Sequence, residues 1–206
     1  MTSWTHSSRD CRNKNDLSTL DIRPLTARDL PAVKAFTDQE IGAGYYSAVE
    51  LEQILKQSDF NGAMCSMVLT DSKGELFGIR ISYPPGQWER GKGQGLDPEK
   101  WPHPLAKTAY FQSIFLSSQL RGGGWGARLS QASLEVLKAI GAKGVVCHSW
   151  MESPNNSSTR YLTKLGFKPV GEHPHYWYNV DYNCTRCLKP PCVCTAMEMY
   201  LDLEEI

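Results

Sequence analysis

Residues 108–127 read TAYFQSIFLSSQLRGGGWGA, and this stretch decides the fold. Its first half, Thr108 to Ser117, is dense in aromatic and β-branched residues and predicts a strand. Its second half, Arg121-Gly122-Gly123-Gly124-Trp125-Gly126-Ala127, runs into apolar residues at helical spacing: Leu129, Ala132, Val136, Leu137 and Ile140. A strand therefore passes into a helix through glycines. Glycine lets a backbone turn sharply while leaving its N–H groups unobstructed. The first N–H groups of a helix lack intrahelical partners and carry the positive end of its dipole. The turn therefore predicts a cradle for phosphate, with the charge of Arg121 beside it. A tight turn without a ligand is the alternative for a glycine triplet read alone.

Working outward, Gly141 and Gly144 end that helix and GVVCHSW over 144–150 predicts the next strand. The run SPNNSSTRYLTKLG predicts a short helix opened by Ser153 and Pro154 and closed by Gly166. Residues 167–180 and 192–203 are strand-like. Upstream, LDIRPL predicts a strand, and Thr26 with Asp29 has the spacing to cap a helix through Leu30, Val33, Ala35 and Phe36. Ser47 and Glu50 repeat that spacing before a second helix over about 47–58. Ala63–Thr70 and Glu75–Ser82 predict a hairpin across Asp71-Ser72-Lys73-Gly74. The segment 83–107 is rich in Pro, Gly, Trp and charge, and is long for a connection inside one domain. It is either a functional loop or a solvated insertion.

The chain has 206 residues, 41% of them apolar, enough for one domain with a real core. Residues 20–206 form that domain in this reading, behind a polar arm over 1–19. Lys plus Arg and Asp plus Glu both number 22, so no overall charge draws the chain to nucleic acid or to an anionic membrane. The arm lacks the apolar segment of a secretory signal, and no apolar run reaches the roughly 18 residues of a membrane span. Together with an odd count of seven cysteines, three scattered and four clustered as for a metal site, this predicts a cytoplasmic protein.

Three phosphate-binding patterns compete for the glycine turn. A nucleotide P-loop needs Gly-Lys-Ser or Gly-Lys-Thr, which Trp125-Gly126-Ala127 does not supply. A dinucleotide fingerprint fits literally, as Gly122, Gly124 and Ala127 make G-x-G-x-x-A with Glu152 after the next strand. Too few residues then follow Glu152 to finish a parallel sheet. The third pattern is a resemblance. Arg121-x-x-Gly124-x-Gly126 after a strand resembles the pyrophosphate-binding motif of the GNAT superfamily of N-acetyltransferases. Asn155-x-x-Ser158-x-x-x-Leu162-x-Lys164-Leu165-Gly166-Phe167 resembles the superfamily's later helix motif. The likeness covers about Leu20 to Val180.

The resemblance implies an α/β (α+β) fold, a mixed and twisted central sheet flanked by helices. It implies an enzyme that moves an acetyl group from acetyl-CoA directly to a primary amine, on a small molecule, a peptide or a protein. By the same analogy the pantetheine arm runs along Phe115 and Leu116, where a backbone N–H would stabilise the oxyanion. The diphosphate rests on Arg121, Gly122, Gly123, Gly124, Trp125, Gly126 and Ala127, and Asn155 and Ser158 face the cofactor from the later helix. The family's usual helix tyrosine is replaced here by Leu162, which leaves the adjacent Tyr161 as candidate acid. Glu152 is the nearest carboxylate to serve as base, and His148, His173 and His175 are weaker candidates. Tyr45, Tyr46, Trp88 and Trp101 either wall the acceptor site or pack a loop onto the core. A non-catalytic acyl-CoA-binding or zinc-dependent interaction module is the alternative function, and a dinucleotide-binding Rossmann-type protein is the remoter one.

Outside the resemblance, Cys184, Cys187, Cys192 and Cys194 crowd into eleven residues as C-x2-C, a loop with two prolines, then C-x-C. C-x2-C is the usual turn for gripping one tetrahedral ion with two thiolates. Cys192 and Cys194 are placed at the start of a strand, whose period of two points both side chains to one face. Four sulfurs and no open position predict a structural Zn²⁺, with free thiols or a redox pair as the alternatives.

Overall fold

The computed structural model describes residues 20–206, so the predicted arm over 1–19 lies outside the described residues. The chain begins with β1 (Asp21–Pro24), α1 (Leu30–Glu40) and α2 (Ala48–Gln57). Both predicted caps are present: the Thr26 N–H donates to the Asp29 carboxylate at 2.9 Å, and Ser47 and Glu50 exchange hydrogen bonds of 2.8 and 3.1 Å. The predicted strand 63–70 is divided. Ala63–Met64 (β3) folds back on Asp59–Phe60 (β2), and only Met67–Thr70 (β4) joins the main sheet. Asn61 and Gly62 between them, at φ 53° and 90°, form the kind of Asn-Gly turn that favours a two-residue hairpin.

β4 turns through Asp71, whose carboxylate accepts the N–H groups of Lys73 and Glu75, into β5 (Leu76–Tyr83). The long loop follows, then β6 (Thr108–Leu116), α3 (Trp125–Ala139), β7 (Gly144–Trp150), α4 (Ser157–Lys164), β8 (Lys168–His173) and β9 (Ala196–Asp202). The strand predicted over 167–180 stops at His173, before Pro174 and the positive φ of His175. The strand predicted from Cys192 starts only at Ala196.

Seven strands make one mixed sheet in the order β1-β4-β5-β6-β7-β9-β8. β6 and β7 are parallel and every other neighbouring pair is antiparallel. Alternation along the strands divides the core. Ile79, Ile81, Tyr110 and Val146 pack with Val33 of α1 and Leu51 and Ile54 of α2. Phe111, Val145, Cys147 and Met199 pack with Leu134 and Leu137 of α3 and Leu162 of α4. No helix among the described residues is long and apolar enough to cross a membrane.

Two features of the sheet position the site. The parallel pairing of β6 with β7 runs from Thr108 opposite Gly144 to Phe111 opposite Cys147 and stops there. Beyond it, β6 continues beside β5 to Leu116 and β7 continues beside β9 to Trp150. The two strands thus part into an open V. The register of β5 with β6 also shifts by one residue between Ile81 and Ser82, which leaves Gln112 as the extra residue of a bulge where the V opens.

Candidate active site

Alternate residues of Gln112–Leu116 turn backbone N–H and C=O groups away from β5 and into the V, where no neighbouring strand takes them up. The chain then makes a short 3-10 turn, Ser118–Leu120, and enters the glycines. Gly122 and Gly124 stand at φ 83° and 79°, a region costly for other residues, and a Cβ on either would meet no atom within 4 Å. Gly124 is the N-cap of α3 and no side chain caps that end. The first bond of the helix is donated by Arg128 to Gly124 O at 3.2 Å, which leaves the amides of Trp125, Gly126 and Ala127 ahead of it. This is an open helix N-terminus beside the V. Arg121, 61% exposed, ion-pairs with Glu40 at the end of α1, and its Nε reaches Leu116 O at 3.4 Å.

On the face of the V covered by α1 lies a cavity of about 100 Å³. Phe115 and Trp150, one from each parted strand, form its floor with Ile41, Tyr45, Trp177 and Tyr182. Glu40 is the acidic group on its lining and Cys184 brings the cysteine cluster to its edge. A second, polar cleft of about 530 Å³ lies between α2 and the loop at 86–92, bordered by Tyr46, Glu50, Trp88, Lys92 and Gln112. The Lys92 ammonium bridges the two regions: it bonds Glu50 at 2.8 Å and sits 4.7 and 4.5 Å over the rings of Tyr45 and Tyr46.

Of the aromatics considered as an acceptor wall, Tyr45 lines the cavity. Tyr46 is buried and bonded to Ser113 at 2.8 Å, Trp88 stacks on Tyr110 at 4.8 Å, and Trp101 packs on Tyr200 at 5.7 Å. The long loop is thus held to the sheet. Its anchor is a residue that sequence reasoning missed, the fully buried Glu198 of β9. Glu198 accepts Trp101 Nε1 at 2.7 Å, the Asp97 N–H at 3.1 Å and His173 Nε2 at 2.9 Å. Burial works against its ionisation, but hydrogen bonds from His148, Trp101 and His173 hold its carboxyl down at about 2. Burial favours neutral His148, whose ring bridges Tyr110 OH at 2.9 Å and Gly95 O at 3.1 Å. Period two in AMEMYLD places Glu198 on one face with Ala196 and Tyr200, a signal that it points inward.

Tyr161 hangs from α4 against α3. Its hydroxyl donates to Gly126 O at 3.1 Å, contacts Ser130 Oγ, and accepts from Arg80 at 3.3 Å. It therefore lies at the root of the cradle. Arg80 is itself buried, bonded to Ser130 at 2.8 Å and stacked 3.8 Å over Phe111. Glu152 accepts the Thr195 N–H at 3.0 Å and lies 3.6 Å from Arg186, fixing the entry to β9. Asn155 is exposed, in the left-handed region at φ 54°. Ser158 bonds Ser149 Oγ at 3.0 Å and joins α4 to β7. Tyr161 and Glu152 are thus set on different elements, each already bonded.

Cys184, Cys187, Cys192 and Cys194 do converge, with all four sulfurs within 4.8 Å of one another. Sulfurs of Cys187 and Cys194 are 3.7 Å apart, of Cys187 and Cys192 3.9 Å, and of Cys184 and Cys194 4.0 Å. A tetrahedron with Zn–S bonds of roughly 2.3 Å needs sulfurs about 3.8 Å apart. Burial pushes the Cys192 and Cys194 thiols up. Burial also opposes ionisation of Cys184, yet the N–H groups of Cys187 and Arg186 and the Tyr182 hydroxyl bring its thiol down to about 7. Tyr182 OH donates to Cys192 Sγ at 3.5 Å. The indole N–H of Trp150 is buried with no partner at hydrogen-bond distance, and it favours the ionised form of Cys194. Trp150 and Tyr182 serve both the cluster and the cavity wall.

A mixed sheet whose central parallel strands part beside a glycine-led helix defines the acyl-CoA N-acyltransferase fold. A profile of the Acetyltransferase (GNAT) family matches residues 35–167, and the chain belongs to that family. Solved structures agree on the fold. The chain is similar to NAA60 of Arabidopsis thaliana in complex with acetyl-CoA, with a TM-score of 0.66, 14% identity, and 90% of this chain and 99% of that one covered. It is similar to the NatC complex bound to Gag peptide and CoA (TM-score 0.65, 16% identity, covering 90% and 99%). It is also similar to the ribosomal-protein-S18-alanine N-acetyltransferase of Escherichia coli (0.62, 15%, covering 90% and 94%). No curated protein matches the chain in sequence.

Proposed function

We propose that the protein transfers an acetyl group from acetyl-CoA to a primary amine that enters through the aromatic cavity. One observation carries this reading: the V between β6 and β7 opens directly beside an uncapped glycine N-terminus, so a diphosphate and a thioester have adjoining places. The neighbours in complex with acetyl-CoA or CoA support the choice of carrier.

In this reading the amides of Gly122 and of Gly124 to Ala127, with Arg121, hold the diphosphate, while the Gly123 N–H stays on Leu120 O at 3.2 Å; Asn155, in the turn before α4, and Ser158, in its first turn, close on the carrier. Phe115 and Leu116 offer backbone groups to the pantetheine arm, and one N–H there stabilises the oxyanion when the amine attacks the thioester carbon. Positioning supplies most of the rate, because a thioester is already activated. The amine nitrogen bonds to the acetyl carbon as the carbon–sulfur bond breaks. Glu152 takes the proton the ammonium must lose and Tyr161 returns one to the thiolate. Both must share bonds they already hold, with Thr195 and with Gly126.

The four cysteines hold a structural Zn²⁺ in the same proposal. Sulfur spacing supports it, as do the donors aimed at the thiolates from Tyr182 and the backbone of Arg186 and Cys187. The ion would staple the 174–195 segment beside the cavity.

Thiol release from acetyl-CoA over a panel of amines, set beside calorimetric coenzyme A binding, tests the function. Turnover with at least one amine is expected. Tight binding with no turnover would favour a carrier-binding module, and no binding would remove the proposal.

A further inference from the structure

The cavity between the parted strands is mostly apolar and aromatic; Thr185 and Cys184 stand at its edge, and its one carboxylate is Glu40, whose side chain is 10% exposed. A primary amine is an ammonium at neutral pH, and an apolar site receives an ammonium only with an aromatic face and a counter-charge to replace its water. Tyr45, Trp150 and Trp177 supply the faces and Glu40 the charge. At about 100 Å³ the space is on the scale of the roughly 150 Å³ apolar cavities that take up one aromatic ring.

Glu40 is not free. It is paired with Arg121, the residue that opens the glycine cradle. One guanidinium thus stands between the carboxylate facing the acceptor cavity and the amides where the carrier's diphosphate is placed. A diphosphate carries more charge than a carboxylate and presents oxygens to a guanidinium fork in matched geometry.

We propose that Glu40 is the carboxylate that receives the acceptor's ammonium, and that Arg121 masks it until the carrier's diphosphate draws the guanidinium away. The acceptor is then a cationic primary amine on a small apolar or aromatic body, and it binds well only after the carrier. This deepens the proposed function and rests on its placement of the diphosphate at the cradle.

Coenzyme A affinity tests the coupling without knowledge of the acceptor. Glu40→Gln releases Arg121 to the diphosphate, so coenzyme A should bind about two- to fivefold more tightly, the worth of an exposed ion pair. In an Arg121→Met background, where coenzyme A binds more weakly, Glu40→Gln should change nothing. Equal tightening in both backgrounds would mean that Glu40 repels the carrier directly, and no tightening in either would mean that the pair is not coupled to the cradle. Either result overturns the inference, whereas failure of the unaltered protein to bind coenzyme A would instead sink the proposed function. 2-Phenylethylamine is the second probe. It should bind the coenzyme A complex at least tenfold more tightly than the free protein, and lose that binding in Glu40→Gln. Binding that survives the substitution, or equal binding with and without coenzyme A, overturns the role of Glu40, and no binding in any state overturns the amine class.

Discussion

Two glycines at opposite ends of α3 offer a matched experiment. Gly124 at the start has φ 79° and Gly141 just past the end has φ 87°, and a Cβ on either would meet nothing within 4 Å. An alanine at either site adopts the left-handed region at a cost of about 1–2 kcal/mol. A domain of this size loses roughly 2–4 °C of Tm per kcal/mol, so each variant should melt about 2–8 °C lower. The stability effects are alike and the binding effects should not be. At Gly124 the methyl stands in the open space of the cradle and displaces the diphosphate from at least one amide. A hydrogen bond to a charged group is worth about 1.5–3 kcal/mol, so coenzyme A affinity should fall roughly 10- to 150-fold. Gly141 lies beyond 15 residues of helix, on the order of 22 Å away, and Gly141→Ala should bind coenzyme A like the unaltered protein. Thermal melts and titration calorimetry on both variants decide it. If Gly124→Ala binds coenzyme A as well as Gly141→Ala does, the diphosphate does not rest where the reasoning places it.

Elemental analysis should find one zinc per chain. Cys192→Ser should cost about 4 kcal/mol, on the order of 10 °C in Tm, and a melting curve unmoved by chelator would remove the metal. Glu198→Ala strips the acceptor from Trp101, Asp97 and His173 and should cost about 2–5 kcal/mol by urea unfolding at pH 7; a cost below about 0.5 kcal/mol would show that the loop is held by other contacts. Because the folded carboxyl of Glu198 lies at about 2, below its ordinary 4.5, its contribution is complete above 4.5 and fades as pH falls toward 2. Glu198→Gln should therefore lose less stability than the unaltered protein over that interval, and parallel acid curves would contradict the assignment. Tyr161→Phe should lower turnover roughly 10²-fold with coenzyme A affinity held; lost affinity with turnover intact would make Tyr161 a support for the Gly126 turn.

What was legible in the sequence was local. The capped helices, the β6 strand, the glycine turn and the cysteine spacing are each written within a dozen or so residues, where periodicity and backbone preference act directly. The small hairpin at Asn61-Gly62 is not in the sequence reading, although the dipeptide favours such a turn, because the mostly apolar run 63–70 reads as a single strand. Other features are properties of assembly. The parting of β6 from β7 depends on where pairing ends, which neither strand encodes alone. The cavity gathers Glu40, Phe115, Trp150 and Tyr182 from four distant segments. Glu198 escaped notice because a carboxylate in a strand reads as solvated until Trp101 and His173 are brought to it from other elements.

A crystal structure of the protein with coenzyme A tests the central claim most directly. The account predicts diphosphate oxygens within about 3 Å of the amides between Gly122 and Ala127, and the pantetheine arm between Phe115 of β6 and Trp150 of β7. A coenzyme A seated elsewhere, or a V still closed to it at saturating concentration, would contradict the account.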